Sequence, residues 1–165
     1  MKIYFLRHGA RGHGRKQDML VKKGIKQAKM TALYFKNIKI DKLICGDLKR
    51  ARRTADEIIP VIKSPVIYTA EINEQGLGRL QGRTGKEYKE ALIKSGKSPD
   101  LFRPENGENR FDAFERAKRF LEIIKKEKAE TIMVISHSGF ISDVSSILLN
   151  LPIEESKNFK LDYCG

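Results

Sequence analysis

Four short apolar runs alternate along the chain with longer stretches in which apolar positions recur every three or four residues. The runs are Lys2–Leu6, Lys42–Cys45, Val66–Tyr68 and Thr131–Ser136. Continuous Val, Ile, Leu and Met without polar alternation is the pattern of strands buried on both faces. The periodic stretches, Gln17–Asn37, Leu48–Ile62, Thr84–Ser95, Arg110–Glu127 and Gly139–Leu149, have helical spacing. This order predicts an α/β fold: a mostly parallel central sheet covered by helices on both faces. Asp47 stands as the N-cap of the helix beginning at Leu48, and Pro60 and Pro65 bracket its end. A polar stretch from Gly76 to Gly107, rich in Gly and Pro and holding one helix, predicts a lid or rim over the strand ends. The last residues, Lys160 to Gly165, alternate in the manner of an edge strand just beginning.

No repeat, low-complexity tract or linker divides the 165 residues, so residues 1–165 read as a single domain. A hydrophobic content of 40% with 33% charged residues fits a globular chain rather than a disordered one. No apolar run approaches the roughly 20 residues that span a bilayer, and the chain opens on a strand rather than a signal peptide. A cytoplasmic protein without a membrane partner is the expectation. The net charge of +12 points to anionic partners, but its lysines and arginines are spread along the chain and mixed with glutamates. No aromatic-interleaved basic stripe marks a nucleic-acid surface, so we expect no nucleic-acid partner. Cys45 and Cys164 lack the number and spacing of a disulfide framework or metal site.

The chemistry concentrates where strands end. Arg7, His8 and Gly9 follow the first apolar run: a planar guanidinium, a neutral imidazole nucleophile and a residue that lets backbone approach a ligand. Alone, they fit either a phosphate-handling site or an ordinary polar turn. Arg50 lies in the first turn of the helix after the second run, where it adds to the positive helix end, while Arg52 and Arg53 point elsewhere. His137 ends the fourth run, and the N–H groups of Ser138 and Gly139 behind it could cradle an anion. Glu74, in a loop followed by Gly76, is a candidate general acid or a surface carboxylate. Pro104 to Glu108 reads as a turn that shapes and caps the next helix, and His13 as a loop residue.

Taken in order, these segments resemble the histidine phosphatase superfamily, in its phosphoglycerate-mutase-like branch. Arg7-His8-Gly9 matches its opening signature, and Leu20, Gly24, Gln27 and Ala28 resemble the start of its first helix. Leu48, Arg50, Ala51, Thr54 and Ala55 resemble its arginine motif, Asn73-Glu74 with Leu80-Gln81-Gly82 its acid loop, Asn106-Gly107-Glu108 its following turn, and Ser136-His137-Ser138-Gly139 its second histidine. The resemblance implies a three-layer sandwich and a phosphohistidine formed on His8. It further implies that Arg7, Arg50 and His137 clamp the phosphoryl oxygens, and that Glu74 protonates the leaving oxygen and then activates water. It implies neither metal nor cofactor, and a small phosphorylated substrate. Monomer and homodimer both stay open.

Two positions depart from the branch, which has Thr or Ser where Arg11 stands and often Asn where Gly14 stands. Arg7-His8-Gly9-Ala10-Arg11 instead resembles the acid phosphatase branch, so Arg11 is expected to bind phosphate. A phosphomonoester phosphatase is the expected activity, because 165 residues leave little chain to enclose a phosphohistidine. A cofactor-dependent phosphoglycerate mutase is the alternative, and a non-catalytic binder of phosphorylated ligands is a third possibility.

Overall fold

The computed structural model describes residues 1–12 and 18–165. Strands β1 (Lys2–Arg7), β2 (Lys42–Gly46), β3 (Val66–Thr69) and β4 (Thr131–Ser136) form one sheet in the order β1-β4-β2-β3, every pair parallel. Each strand coincides with an apolar run, although in the edge strand β3 only Val66 and Tyr68 pack on the core and Ile67 is exposed. Side chains alternate across a strand, so Leu43, Cys45, Met133 and Ile135 turn to one side. There they pack with Ala32 and Phe35 of helix α1 (Lys22–Phe35) and Ala51, Ala55 and Ile58 of helix α2 (Lys49–Ile62). Ile44, Ile132 and Val134 turn to the other, against helices α4 (Arg110–Ile124) and α5 (Ser138–Leu148). The result is the expected three-layer α/β arrangement.

Two expectations change. Asp47 is not the N-cap of α2: Leu48 holds that position without a side-chain bond. The Asp47 carboxylate instead accepts from Asn73 Nδ2 at 2.5 Å, and its N–H donates to Asn73 Oδ1 at 3.1 Å. As expected, Pro60 and Pro65 bracket the end of α2, which stops at Ile62 with the left-handed Lys63. The C-terminal residues form no strand. The Cys164 N–H donates to the Arg7 carbonyl and the Arg7 N–H to the Gly165 carbonyl, so two tail residues oppose one strand residue. Cys164, left-handed at φ 59°, turns the chain there.

Residues 76–107 form an excursion closed at its base. The Gly76 carbonyl accepts from the Glu108 N–H at 2.8 Å, and the Glu105 carbonyl from the Arg79 N–H at 3.0 Å. Within it, helix α3 (Gly85–Ser95) starts from a capping box of Thr84 and Glu87 and has no buried residue.

The turn after β1 is fixed by close backbone packing. A Cβ on Gly9 would stand 2.5 Å from the Gly24 carbonyl oxygen, and one on Gly24 would overlap the Ala10 carbonyl. Both obstacles are backbone, so neither can step aside. Gly24→Ala is therefore expected to lower the unfolding free energy by about 1–3 kcal/mol, although alanine favours a helix. The urea midpoint checks this, and an unchanged or higher midpoint would show that the approach is not tight.

Candidate active site

Adjacent parallel strands bring the two histidines together. Arg7 of β1 pairs with Ser136 of β4, so the next residue on each chain, His8 and His137, leaves the sheet at the same edge. Their ring centroids are 5.1 Å apart. Both are buried, at 2% and 0% exposure. Gly46, at the end of β2, makes room: a Cβ there would stand 3.1 Å from His137 Nε2 and 2.9 Å from Asn73 Oδ1.

The tautomer of His8 follows from its neighbours. Its Nδ1 lies 2.8 Å from the Gly9 carbonyl, which can only accept, so Nδ1 carries the proton. Nε2 is left with its lone pair, and the buried Arg50 donates to it from Nε at 3.2 Å. Arg50 also donates from Nη1 to Asp18 at 2.9 Å. Thr54 ties the two elements: its Oγ1 accepts from the Gly9 N–H at 3.0 Å and donates to the Arg50 carbonyl at 2.8 Å. Gln27 of α1 accepts from the Ala10 N–H at 3.0 Å, which gives the glutamine of the first helix its purpose.

Burial is the chief reason that His8 is pushed down to about 3; the Gly9 carbonyl opposes it, and the Arg50, Arg7 and Arg11 guanidiniums add to it. His137 is held well below its ordinary value, again by burial first and then by Arg50. The guanidiniums that sequence singled out thus contribute less than the desolvation. Both imidazoles are neutral near pH 7. Among the described residues neither nitrogen of His137 has a hydrogen-bond partner, a costly state for a buried polar group unless a ligand satisfies it.

Arg7 donates from Nη1 to the Leu161 carbonyl at 2.5 Å, and its guanidinium lies 3.9 Å from the centre of the Tyr163 ring. The same ring stands 5.7 Å from that of His8, so the C-terminal tail packs against the site. Arg11, half-buried, donates to the Gly12 carbonyl at 3.2 Å. It joins Leu48, Arg50, Glu74, Leu77 and Gln81 around a cavity of about 360 Å³.

Glu74 reaches the amino end of α5, where its Oε2 accepts from the Gly139 N–H at 3.3 Å; a Cβ on Gly139 would overlap the Glu74 carboxylate. That N–H, expected to cradle an anion directly, is instead given to the candidate acid. Ser138 lines a second cavity on the α5 side of the Glu74 loop. Arg52 lies over the Tyr68 ring and Arg53 pairs with Glu57, so both point elsewhere as expected. His13 and Gly14 lie outside the described residues.

Three contributors escaped the sequence: Asp18 on Arg50, Tyr163 beside His8 and Arg116 under the Glu74 loop; Glu108, expected to help cap α4, pairs with Arg116 instead. Asn109 makes that cap.

The family model of the histidine phosphatase superfamily (branch 1) matches residues 3–165. The adenosylcobalamin/alpha-ribazole phosphatase of Escherichia coli K12 is 27% identical over 175 residues, covering 98% of this chain and 86% of that protein. Among solved structures, the alpha-ribazole phosphatase of Shigella flexneri is similar with a TM-score of 0.87 at 24% identity, covering 99% of this chain and 87% of that one. A mycobacterial glucosyl-3-phosphoglycerate phosphatase gives 0.75 at 23% identity, over 97% and 85% of the two chains. Among the described residues no helix is long and apolar enough to cross a membrane.

The lowered His8 value sets a pH dependence. The unfolded histidine takes up a proton below about pH 6.5, whereas the folded one stays neutral to about 3, so its stabilising contribution is complete above 6.5 and is lost as pH falls. At about 1.4 kcal/mol per pH unit, the wild type should lose about 2 kcal/mol more stability than His8→Asn between pH 7 and pH 5. Urea unfolding at the two pH values measures this. Equal losses would show that His8 is not held neutral.

Proposed function

The chain belongs to the histidine phosphatase superfamily, and we propose that it is a phosphomonoester phosphatase working through a phosphohistidine on His8 Nε2. One observation carries this: a buried neutral imidazole, protonated on Nδ1, presents its Nε2 lone pair to a guanidinium beside a second imidazole whose nitrogens have no partner. A phosphoryl group between the rings would satisfy His137 and accept the N–H that Arg50 now gives to Nε2. The lone pair is then free to attack phosphorus.

In the first step Nε2 forms the P–N bond as the P–O bond to the leaving group breaks, and Glu74 gives that oxygen its proton. In the second, Glu74 takes a proton from water as its oxygen attacks phosphorus and the P–N bond breaks, releasing inorganic phosphate. Arg7, Arg11, Arg50 and His137 stabilise the charge on the transferring oxygens. Gly139 enters by holding Glu74, and Ser138 by lining the cavity behind it. The cavity beside Arg11 would take the leaving group, with residues 76–107 as its rim or lid. The same proposal places the enzyme in the cytoplasm, acting on a small phosphorylated substrate. Phosphatase is favoured over mutase because the E. coli K12 relative named a phosphatase is 27% identical, against 24% for an E. coli relative named a probable phosphoglycerate mutase.

A panel of phosphomonoesters tests this. Wild type should release phosphate, and His8→Asn should lower kcat by a factor on the order of 10³ or more. Interconversion of 2- and 3-phosphoglycerate, with the bisphosphate present, should be slower than hydrolysis. Mutase turnover above phosphate release would overturn the assignment. Arg11→Ala should lower kcat/KM on the order of tenfold, the effect of one lost charge-assisted contact, and an unchanged value would remove Arg11 from the phosphate site.

A further inference from the structure

Glu74 sits on neither helix nor strand. It lies in a loop between two short 3-10 turns, Ala70–Ile72 and Gly78–Leu80, and a general acid on such a loop needs something to hold it. The loop's backbone is gripped by one ion pair from beneath. Arg116 of α4, 7% exposed, donates from Nη1 to the carbonyls of Glu71 at 2.8 Å and Asn73 at 2.9 Å, and from Nη2 to that of Glu74 at 3.5 Å. Its Nε and Nη2 form a fork on the Glu108 carboxylate, both at 2.8 Å. Glu108 Oε2 in turn accepts from the Gly76 N–H at 2.8 Å, and the Glu108 carbonyl accepts from Gln75 Nε2 at 2.9 Å. The backbone on both sides of Glu74 is therefore read by the two partners of a single pair.

We infer that Arg116, locked by Glu108, is a positioning residue for the general acid. It sets the 71–76 loop so that the Glu74 carboxylate stands at the amino end of α5, directly after His137. Only a planar guanidinium suits the task, because its five donors, fixed in one plane, serve three carbonyls and a carboxylate together. The pair's value lies in geometry. Replacing a buried ion pair by apolar packing often costs no stability, but an apolar contact could not donate to the Glu71 and Asn73 carbonyls as Arg116 does. Burial pushes the Glu108 carboxyl up, but the Arg116 fork and the Gly76 N–H outweigh it and hold it below the ordinary range.

This inference rests on the phosphatase assignment, and its test separates the two. General acid catalysis matters for a poor leaving group and hardly at all for one that departs as a stable anion. The measurement is kcat/KM for phenyl phosphate divided by kcat/KM for p-nitrophenyl phosphate, two esters of similar size. This ratio does not depend on how much of a variant is folded. Arg116→Lys keeps the charge but loses the fork, and should lower the ratio at least about tenfold, as should Glu74→Gln. Glu108→Gln, a milder change, should lower it in the same direction. The double variant Glu74→Gln/Arg116→Lys should fall no further than Glu74→Gln, since both act through one carboxyl. If Glu74→Gln lowers the ratio while Arg116→Lys and Glu108→Gln depress both esters equally, the pair is merely structural and the inference fails alone. If wild type hydrolyses neither ester, the phosphatase assignment falls and the inference with it.

Discussion

The site depends on the register of two neighbouring strands. Because β1 and β4 run parallel with Arg7 opposite Ser136, the residues that follow must emerge together. Everything else is arranged around that pair of imidazoles. β2, on the other side of β4, ends in a glycine that leaves room for His137 and then turns into the helix carrying Arg50. A slip of one residue between β1 and β4 would separate the rings and turn one of them toward the opposite face of the sheet. Open parallel sheets place their ligands at the carboxyl ends of the strands, and here both reactive imidazoles come from those ends.

Burial then decides the chemistry. A surface histidine surrounded by arginines would still be partly protonated below neutral pH; His8 is not, since desolvation alone disfavours its charged form and the guanidiniums act in the same direction. The cost is a set of buried and half-buried polar groups, most of which are paired at rest, while among the described residues the His137 nitrogens are not. Arg50 is divided between Asp18 and His8, Arg7 is held by Leu161 and Tyr163, and Glu74 by the Gly139 N–H. A phosphoryl group entering this network replaces contacts rather than creating charge, so the pocket does not need to reorganise far to receive it.

The sheet was legible because its central strands, β2 and β4, are covered on both faces and read as unbroken apolar runs, and the edge strands share that composition. Helix ends were less so. The first helix was expected from Gln17 and begins at Lys22, and the fourth was expected to Glu127 and ends at Ile124, the last residue it buries in the core. Asp47 has the chemistry of a cap, but Asn73, distant in sequence, claims its side chain. The alternation of residues 160–165 suggested a strand, yet alternation does not reveal that Cys164 is left-handed. His8, His137, Arg50 and Glu74 were visible as motifs. Arg116 was not: three of its partners are backbone carbonyls, which carry no label in a sequence. Asp18 and Tyr163 escaped for a related reason, since only the folded chain brings the loop before α1 and the C-terminal tail to the strand ends.

The account stands on His8 Nε2 as the atom that receives the phosphoryl group. The direct measurement is to mix the protein with a phosphomonoester it hydrolyses, quench in alkali within the first turnovers, and map the bound phosphoryl group by mass spectrometry and ³¹P NMR. The account predicts an alkali-stable, acid-labile phosphoryl group on Nε2 of His8. A phosphoryl group on another residue, or release of phosphate with none on His8 at any time, would contradict it.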